Sequence, residues 1–192
     1  MTESIKRYGK QMKTLQREGR WAKVLQMLGS LVVEDVKVNV ILCNIAISSL
    51  QADWRRAVYV FKHDMHGKSV LPDVFSFNSL INVCAKASEC ARACEAFDAL
   101  KEAKLQPDSI SFNSVLDAFA RAGTVEAMEA ADAWLEQMVQ AAMQPDVVSC
   151  SSLIRSTSPE NRQKCLHRMQ QRRAALDIWA YASVVDACAK LG

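Results

Sequence analysis

Asn44, Asn78 and Asn113 are each followed, 29 to 33 residues later, by an aspartate: Asp73, Asp108 and Asp146. Ser151 and Asp177 continue the series. Amide, hydroxyl and carboxylate groups carry the donors and acceptors that can read the edge of a nucleobase. Arg17, Lys86, Arg121 and Lys190 stand eight residues after the asparagine-equivalent position, about two helical turns further on. Their cations can hold phosphate. A structural reading of the same residues makes the aspartates N-caps, worth about 1 kcal/mol each, and the cations a solvated face. Three asparagines at one register, each about one turn inside a helix where Asn costs about 0.5 kcal/mol against Ala, favour a position that is used.

The elements that must position these residues recur. "LPDVFSFNSLINVCAKA" at 71–87 is restated 35 residues later as "QPDSISFNSVLDAFARA" at 106–122. Anchored on Asp-x-x-x-x-Asn, five openings follow: Asn39 to Asn44, Asp73 to Asn78, Asp108 to Asn113, Asp146 to Ser151 and Asp177 to Ala182. Their starts lie 34, 35, 38 and 31 residues apart, and an earlier unit fits with Gly9 in the asparagine place. A period of this size marks a repeat architecture. In the unit at 74–108, Phe77, Leu80, Ile81 and Cys84 follow helical spacing, and after a break at 87–89 so do Cys90, Ala93, Phe97 and Leu100. Pro107 and Asp108 then stop one helix and cap the next. Each unit is expected to be a helical hairpin that buries its apolar faces only by stacking on its neighbours. The expected fold is all-α, a right-handed α-solenoid of antiparallel helix pairs. The expected units are 5–39, 40–73, 74–108, 109–146, 147–177 and 178–192. The long unit at 109–146 takes its extra residues in its second helix. The last unit is a first helix without its partner, so the chain is expected to be a piece of a longer array.

Composition narrows the function classes. Half of the 192 residues are hydrophobic and 23% are charged, a folding composition. The formal net charge of +3 hides an asymmetry. Residues 1–30 hold seven Lys or Arg against two Glu, residues 155–173 six against one, and residues 95–136 nine acids against three bases. Glu126, Glu129, Asp132 and Glu136 belong to a second helix and are expected to face outward. Seven scattered cysteines suit reduced core thiols better than a disulfide framework. Cys90 and Cys94 lack a second ligand pair at zinc spacing, and His63, His66 and His167 suit helix ends. No metal, cofactor or small-molecule substrate is expected. There is no phosphate-binding glycine loop, deaminase zinc motif or aspartate cluster, so the chain is expected not to be an enzyme. No membrane span, secretory signal or transit peptide is expected either.

"PDVFSFNSLINVCAKA", "PDSISFNSVLDAFARAG" and "PDVVSCSSLIRS" resemble the opening of the pentatricopeptide repeat. The Trp…Leu-Gly…Tyr pattern of the related tetratricopeptide repeat is not found. The resemblance implies a groove, lined by first helices, that holds single-stranded RNA with one base per repeat. It implies base selection by Asn44 with Asp73, Asn78 with Asp108, Asn113 with Asp146, and Ser151 with Asp177. The first three pairs would prefer uracil and the fourth guanine, so the implied core is 5′-UUUG-3′. Gly9 with Asn39, and Ala182, remain unread. The apolar residues three before the asparagine position (Ile41, Phe75, Ile110, Val148 and Trp179) would wedge between bases; their alternative is ordinary packing between units. The resemblance also implies a role in RNA metabolism in a mitochondrion or chloroplast. A scaffold for other proteins is the rival reading, since helical solenoids present concave surfaces to peptides as well.

Overall fold

N-cap aspartates, apolar residues at helical spacing and few prolines or glycines dictate helix, and helix is what forms. The computed structural model describes residues 2–33, 38–51, 53–65 and 70–143. The described helices are α1 (Thr2–Arg17), α2 (Trp21–Val33), α3 (Val40–Ser49), α4 (Trp54–Tyr59), α5 (Val74–Lys86), α6 (Cys90–Glu102), α7 (Ser109–Ala122) and α8 (Val125–Gln140). A π-helical turn, Val60–Met65, continues α4. Units 147–177 and 178–192 lie outside the described residues. So do Asp146, Val148, Ser151, Asp177, Trp179, Ala182 and Lys190, along with His66, His167, Cys150, Cys165 and Cys188.

Successive helices pair as hairpins, and the first helices stack in the order α1, α3, α5, α7. Each second helix nests against its own first helix and the next one: α2 on α1 and α3, α4 on α3 and α5, α6 on α5 and α7. This is the right-handed α-solenoid of stacked helix pairs. The second helix of the long unit, α8, has 16 residues against 13 in α6. That three-residue difference is close to one turn, so the buried face keeps its direction.

The core runs through the stack without a break. Phe77, Leu80, Ile81 and Cys84 of α5 and Ala93, Phe97 and Leu100 of α6 are buried, as their spacing demands. Aromatic edges join neighbouring units: Phe61 meets Phe77 with ring centroids 4.9 Å apart, and Phe97 meets Phe112 at 4.8 Å and Trp134 at 4.6 Å. Cys43 and Cys84 are buried free thiols, while Cys90 and Cys94 are half-buried. Burial pushes the Cys84 and Cys94 thiols up to about 11, so they stay protonated near neutrality and act as small apolar residues.

On the far side from the first-helix stack, cation–π contacts tie second helices together. Arg56, at the third position of α4, sits 4.6 Å from the Trp21 ring at the start of α2. Arg92, at the third position of α6, sits 5.3 Å from the Trp54 ring at the start of α4. The same contact thus repeats one unit along. His63 lies in the π-helical turn, exposed and stacked on Tyr59 at 4.4 Å.

Turns between paired helices need a left-handed residue. Gly19 (φ 70°) and Gly123 (φ 63°) serve after α1 and α7, whereas Ser88 (φ 59°) serves after α5. A β-carbon in that conformation costs about 1–2 kcal/mol, partly offset by the lower chain entropy of the unfolded serine. Ser88 is exposed and its side chain packs nothing away. Ser88→Gly is expected to stabilise the chain by about 0.5–1 kcal/mol, read as a higher urea midpoint with an unchanged slope; an equal or lower midpoint would mean the turn is not strained.

Candidate nucleic-acid interface

The start of each first helix is a shared structure. Asp73 caps α5 and Asp108 caps α7 from extended backbone. Ser76 donates its N–H (2.8 Å) and its hydroxyl (2.7 Å) to Asp73 Oδ1, and accepts from the Asp73 N–H at 3.1 Å. Ser111 repeats these bonds on Asp108 at 2.8, 2.9 and 3.1 Å. The serine stands where a capping box more commonly places Glu or Gln.

Into each cap reaches the asparagine of the preceding unit. Asn44 Nδ2 donates to Asp73 Oδ1 at 3.3 Å, and Asn78 Nδ2 donates to Asp108 Oδ1 at 3.0 Å. The structure therefore brings together two of the pairs that the sequence reading joined. Asn113 lies half-buried on α7, at the matching register. The asparagines are less open than lines of surface amides would be: Asn44 is 5% exposed and Asn78 7%. They sit between successive first helices, where each amide completes the cap of the next unit.

The two amides differ in their other half. The Ser111 hydroxyl lies 2.6 Å from Asn78 Oδ1 and 2.9 Å from Asp108 Oδ1, with one proton to share between them. Asn44 Oδ1 is buried without a hydrogen-bond partner. Such an orphan acceptor costs about 1–3 kcal/mol until something donates to it. Oδ1 of Asp73 and of Asp108 takes the serine and asparagine donors alike, and the Ile110 N–H also helps to hold the Asp108 carboxylate.

Three residues before each asparagine, Ile41, Phe75 and Ile110 are 56%, 63% and 61% exposed. Packing between units does not account for them. Two turns beyond the asparagines the cations diverge. Lys86 and Arg17 are exposed at the ends of α5 and α1 and take part in no ion pair among the described residues. Arg121 Nε is bound to Asp117 Oδ2 at 2.7 Å, one helical turn back. Arg121 thus offers phosphate only the outer nitrogens of its guanidinium. On α8, Glu126, Glu129 and Glu136 are exposed and Asp132 is half-buried. Ser76 and Ser111 are cap residues of the candidate site that the reading of asparagine and aspartate passed over; the recurring Asp-x-x-Ser at 73–76 and 108–111 is their signal. Among the described residues no helix is long and apolar enough to cross a membrane, and no group of three or more His, Cys, Asp or Glu is placed to hold a metal ion.

Burial pushes the Asp73 carboxyl up, but the Ser76 hydroxyl, the Ser76 N–H and the Asn44 amide together hold it below its ordinary value of 3.8. Asp108 is likewise lowered: burial raises it, and the Ser111 N–H, the Asn78 amide and the Ser111 hydroxyl outweigh that. A depressed carboxyl stabilises the fold above its unfolded pKa and loses that contribution as pH falls through the folded value. The melting temperature is expected to fall as pH drops below about 4, less steeply in Asp108→Asn, which keeps a cap acceptor but no longer titrates. At neutral pH, Asp108→Ala is expected to cost about 1–2 kcal/mol. An Asp108→Asn melting curve that tracks the parent at every pH would remove Asp108 from the acid transition.

A family model described as PPR repeat family matches residues 72–121, and one described as pentatricopeptide repeat domain matches residues 26–87. Together they span 26–121, half of the chain. A chloroplastic pentatricopeptide repeat-containing protein of Arabidopsis thaliana is 28% identical over 111 residues, 57% of this chain and 15% of that protein. Among solved structures, the pentatricopeptide repeat protein PPR10 in complex with an 18-nucleotide psaJ RNA element superposes with a TM-score of 0.75 at 25% identity. That match covers 96% of this chain and 26% of PPR10; a crystal structure of PPR10 from maize gives 0.76 at 24% identity, over 94% and 26%. The PPR domain of Arabidopsis thaliana protein-only RNase P 1, in complex with tRNA, gives 0.69 at 15% identity, over 93% of this chain and 95% of that domain. The chain spans about a quarter of PPR10 and less of its chloroplastic relative. With two repeat models in register over α2 to α7, this chain belongs to the pentatricopeptide repeat family.

Proposed function

We propose that the chain binds single-stranded RNA along its first helices, one base to each unit. The observation that carries this is the repeated pairing of Asn44 with Asp73 and Asn78 with Asp108, each beside an exposed apolar residue. Each pair sets an amide N–H next to a carboxylate, a donor beside an acceptor, which is what a base edge requires. Ile41, Phe75 and Ile110 supply apolar surface for base faces. The RNA complexes of PPR10 and of the RNase P domain support the same partner.

The finer reading rests on the family resemblance. It divides the chain into units 5–39, 40–73, 74–108, 109–146, 147–177 and 178–192. It assigns uracil to Asn44–Asp73, Asn78–Asp108 and Asn113–Asp146 and guanine to Ser151–Asp177, a core of 5′-UUUG-3′. Val148 and Trp179 complete the wedge register, and Arg17, Lys86, Arg121 and Lys190 the phosphate register. A mitochondrial or chloroplast setting is proposed with it, in keeping with the chloroplastic relative. The chain is proposed to act by binding alone, without catalysis or a cofactor.

The test is a titration of labelled RNAs with central UUUG, AAAG or CCCG at two salt concentrations. UUUG is expected to bind about tenfold more tightly than AAAG, about 1.4 kcal/mol, with the preference lost in Asn78→Ala. Phe75→Ala is expected to weaken every RNA by about 1–3 kcal/mol and to leave the melting temperature unchanged, because the ring is already exposed. Equal binding to all three RNAs would remove base reading. A lowered melting temperature would return Phe75 to packing. Salt-insensitive binding of a peptide partner, with no RNA binding, would establish the scaffold reading instead.

A further inference from the structure

The first hairpin departs from the others in a directed way. At the wedge register, Ile41, Phe75 and Ile110 are matched by Lys6, and at the amide register Asn44, Asn78 and Asn113 are matched by Gly9. One turn beyond the amide, Ser48, Asn82 and Asp117 are matched by Lys13. The unit therefore lacks both the apolar wedge and the amide, and carries one cation in the wedge's place and another one turn beyond the amide's.

These cations share one face. Lys6, Lys10, Lys13 and Arg17 follow i, i+4, i+7 and i+11 along α1, all of them exposed. Like charges at such spacing repel and weaken a helix. None of the four makes an ion pair with any described residue, although α1 stacks on α3. Lys6, Lys10 and Lys13 line a cleft of about 730 Å³ between α1 and α3, together with Gly9 and Ile41; among the described residues no acidic side chain lines it. A β-carbon at Gly9 would meet only Leu42 Cδ2, at 3.8 Å, so packing does not require the glycine. Its effect is to leave the floor of the cleft open. From Lys6 to Lys13 the cations span about 10 Å along the helix axis.

We propose that this cleft is a phosphate clasp: it holds the sugar-phosphate backbone of the nucleotides next to the base taken by Asn44 and Asp73, whatever their bases. This rests on the RNA-binding reading above. Ile41, at the lip of the cleft, is the boundary between backbone held by charge and bases held by pairs. The clasp adds affinity and salt dependence without adding sequence information.

The test compares a UUUG-core RNA with the same RNA carrying three extra 5′ nucleotides, as AAA, CCC or UUU. The proteins are the parent chain, Lys6→Gln/Lys10→Gln/Lys13→Gln, and Asn78→Ala. In the parent, the 5′ extension is expected to tighten binding about tenfold, equally for the three extensions. The triple variant is expected to lose that gain, and its slope of log K against log salt should fall by about two. Glutamine keeps helix propensity and removes repulsion, so the triple variant should melt no lower than the parent. Asn78→Ala should keep the extension gain while losing the preference for the core. A triple variant that binds extended RNA as the parent does, with the same slope, overturns the clasp and leaves base reading intact. An extension gain that depends on base identity also overturns it. A parent that shows the gain but no core preference overturns base reading alone, and a parent that binds none of the RNAs overturns both.

Discussion

One carboxylate oxygen organises each junction between units. Oδ1 of Asp108 accepts the Ser111 N–H that α7 would otherwise leave unpaired, the Ser111 hydroxyl, and the amide of Asn78 from the unit before. A local cap has become a contact between repeats, so the start of each first helix is complete only when its predecessor is in place. Asp73 does the same for α5 with Ser76 and Asn44. This ties the direction of one helix to the register of the previous one and puts both groups of each pair on one surface. Stability then spreads by nearest-neighbour contacts, as expected of a solenoid. The junction between α1 and α3 shows what happens without the amide. The Asn39 side chain accepts from the Leu42 N–H of its own helix, and the first helices are joined instead by Gln16 donating to Ser48 at 2.7 Å. With Gly9 at the amide position, that junction is free to carry charge.

The two sides of the array carry different interactions. Where the first helices stack, the polar contacts are the shared caps, and the apolar residues beside them stay exposed. The second helices close their own junctions through Trp21 with Arg56 and Trp54 with Arg92. Both guanidiniums are also ion-paired on their own helices, Arg56 with Asp53 at 2.8 Å and Arg92 with Glu95 at 2.6 Å. Lys86 and the α1 cations are in the opposite condition, exposed and outside any ion pair among the described residues. The sign of the net charge says less about a partner than which cations are already engaged.

Much of the fold was legible because helical period and repeat period are both geometric. The apolar spacing of Phe77, Leu80, Ile81 and Cys84 fixes a buried face, and the return of Asp and Asn after 34 or 35 residues fixes which groups meet. Side-chain conformation has no such period. Nothing in the spacing says that Asn78 turns inward to 7% exposure, that the Ser111 hydroxyl stands between two acceptors, or that Arg121 folds back on Asp117. The Lys6, Lys10, Lys13 stripe was visible as i, i+4, i+7 but disappears in a charge total over residues 1–30. The π-helical turn at Val60–Met65 has no sequence signal of its own: "VFKHDM" reads as ordinary helix.

The double duty of the asparagines bears on how a base would be read. An amide held between two helices must be reached where it lies or turned outward, and turning breaks the bonds it makes. A hydrogen bond to an ionised carboxylate contributes about 1.5–3 kcal/mol net, so an amide turned outward must recover that much from the base edge it meets. Asn44 would give up a single contact of 3.3 Å, and its Oδ1 already lacks a donor. Asn78 would give up a 3.0 Å bond and a 2.6 Å one. Two units with the same pair of letters are thus poised differently, because the serine of the following cap reaches Asn78 and does not reach Asn44. The identity of the pair sets which donors and acceptors are available; the neighbouring cap sets how readily they are released.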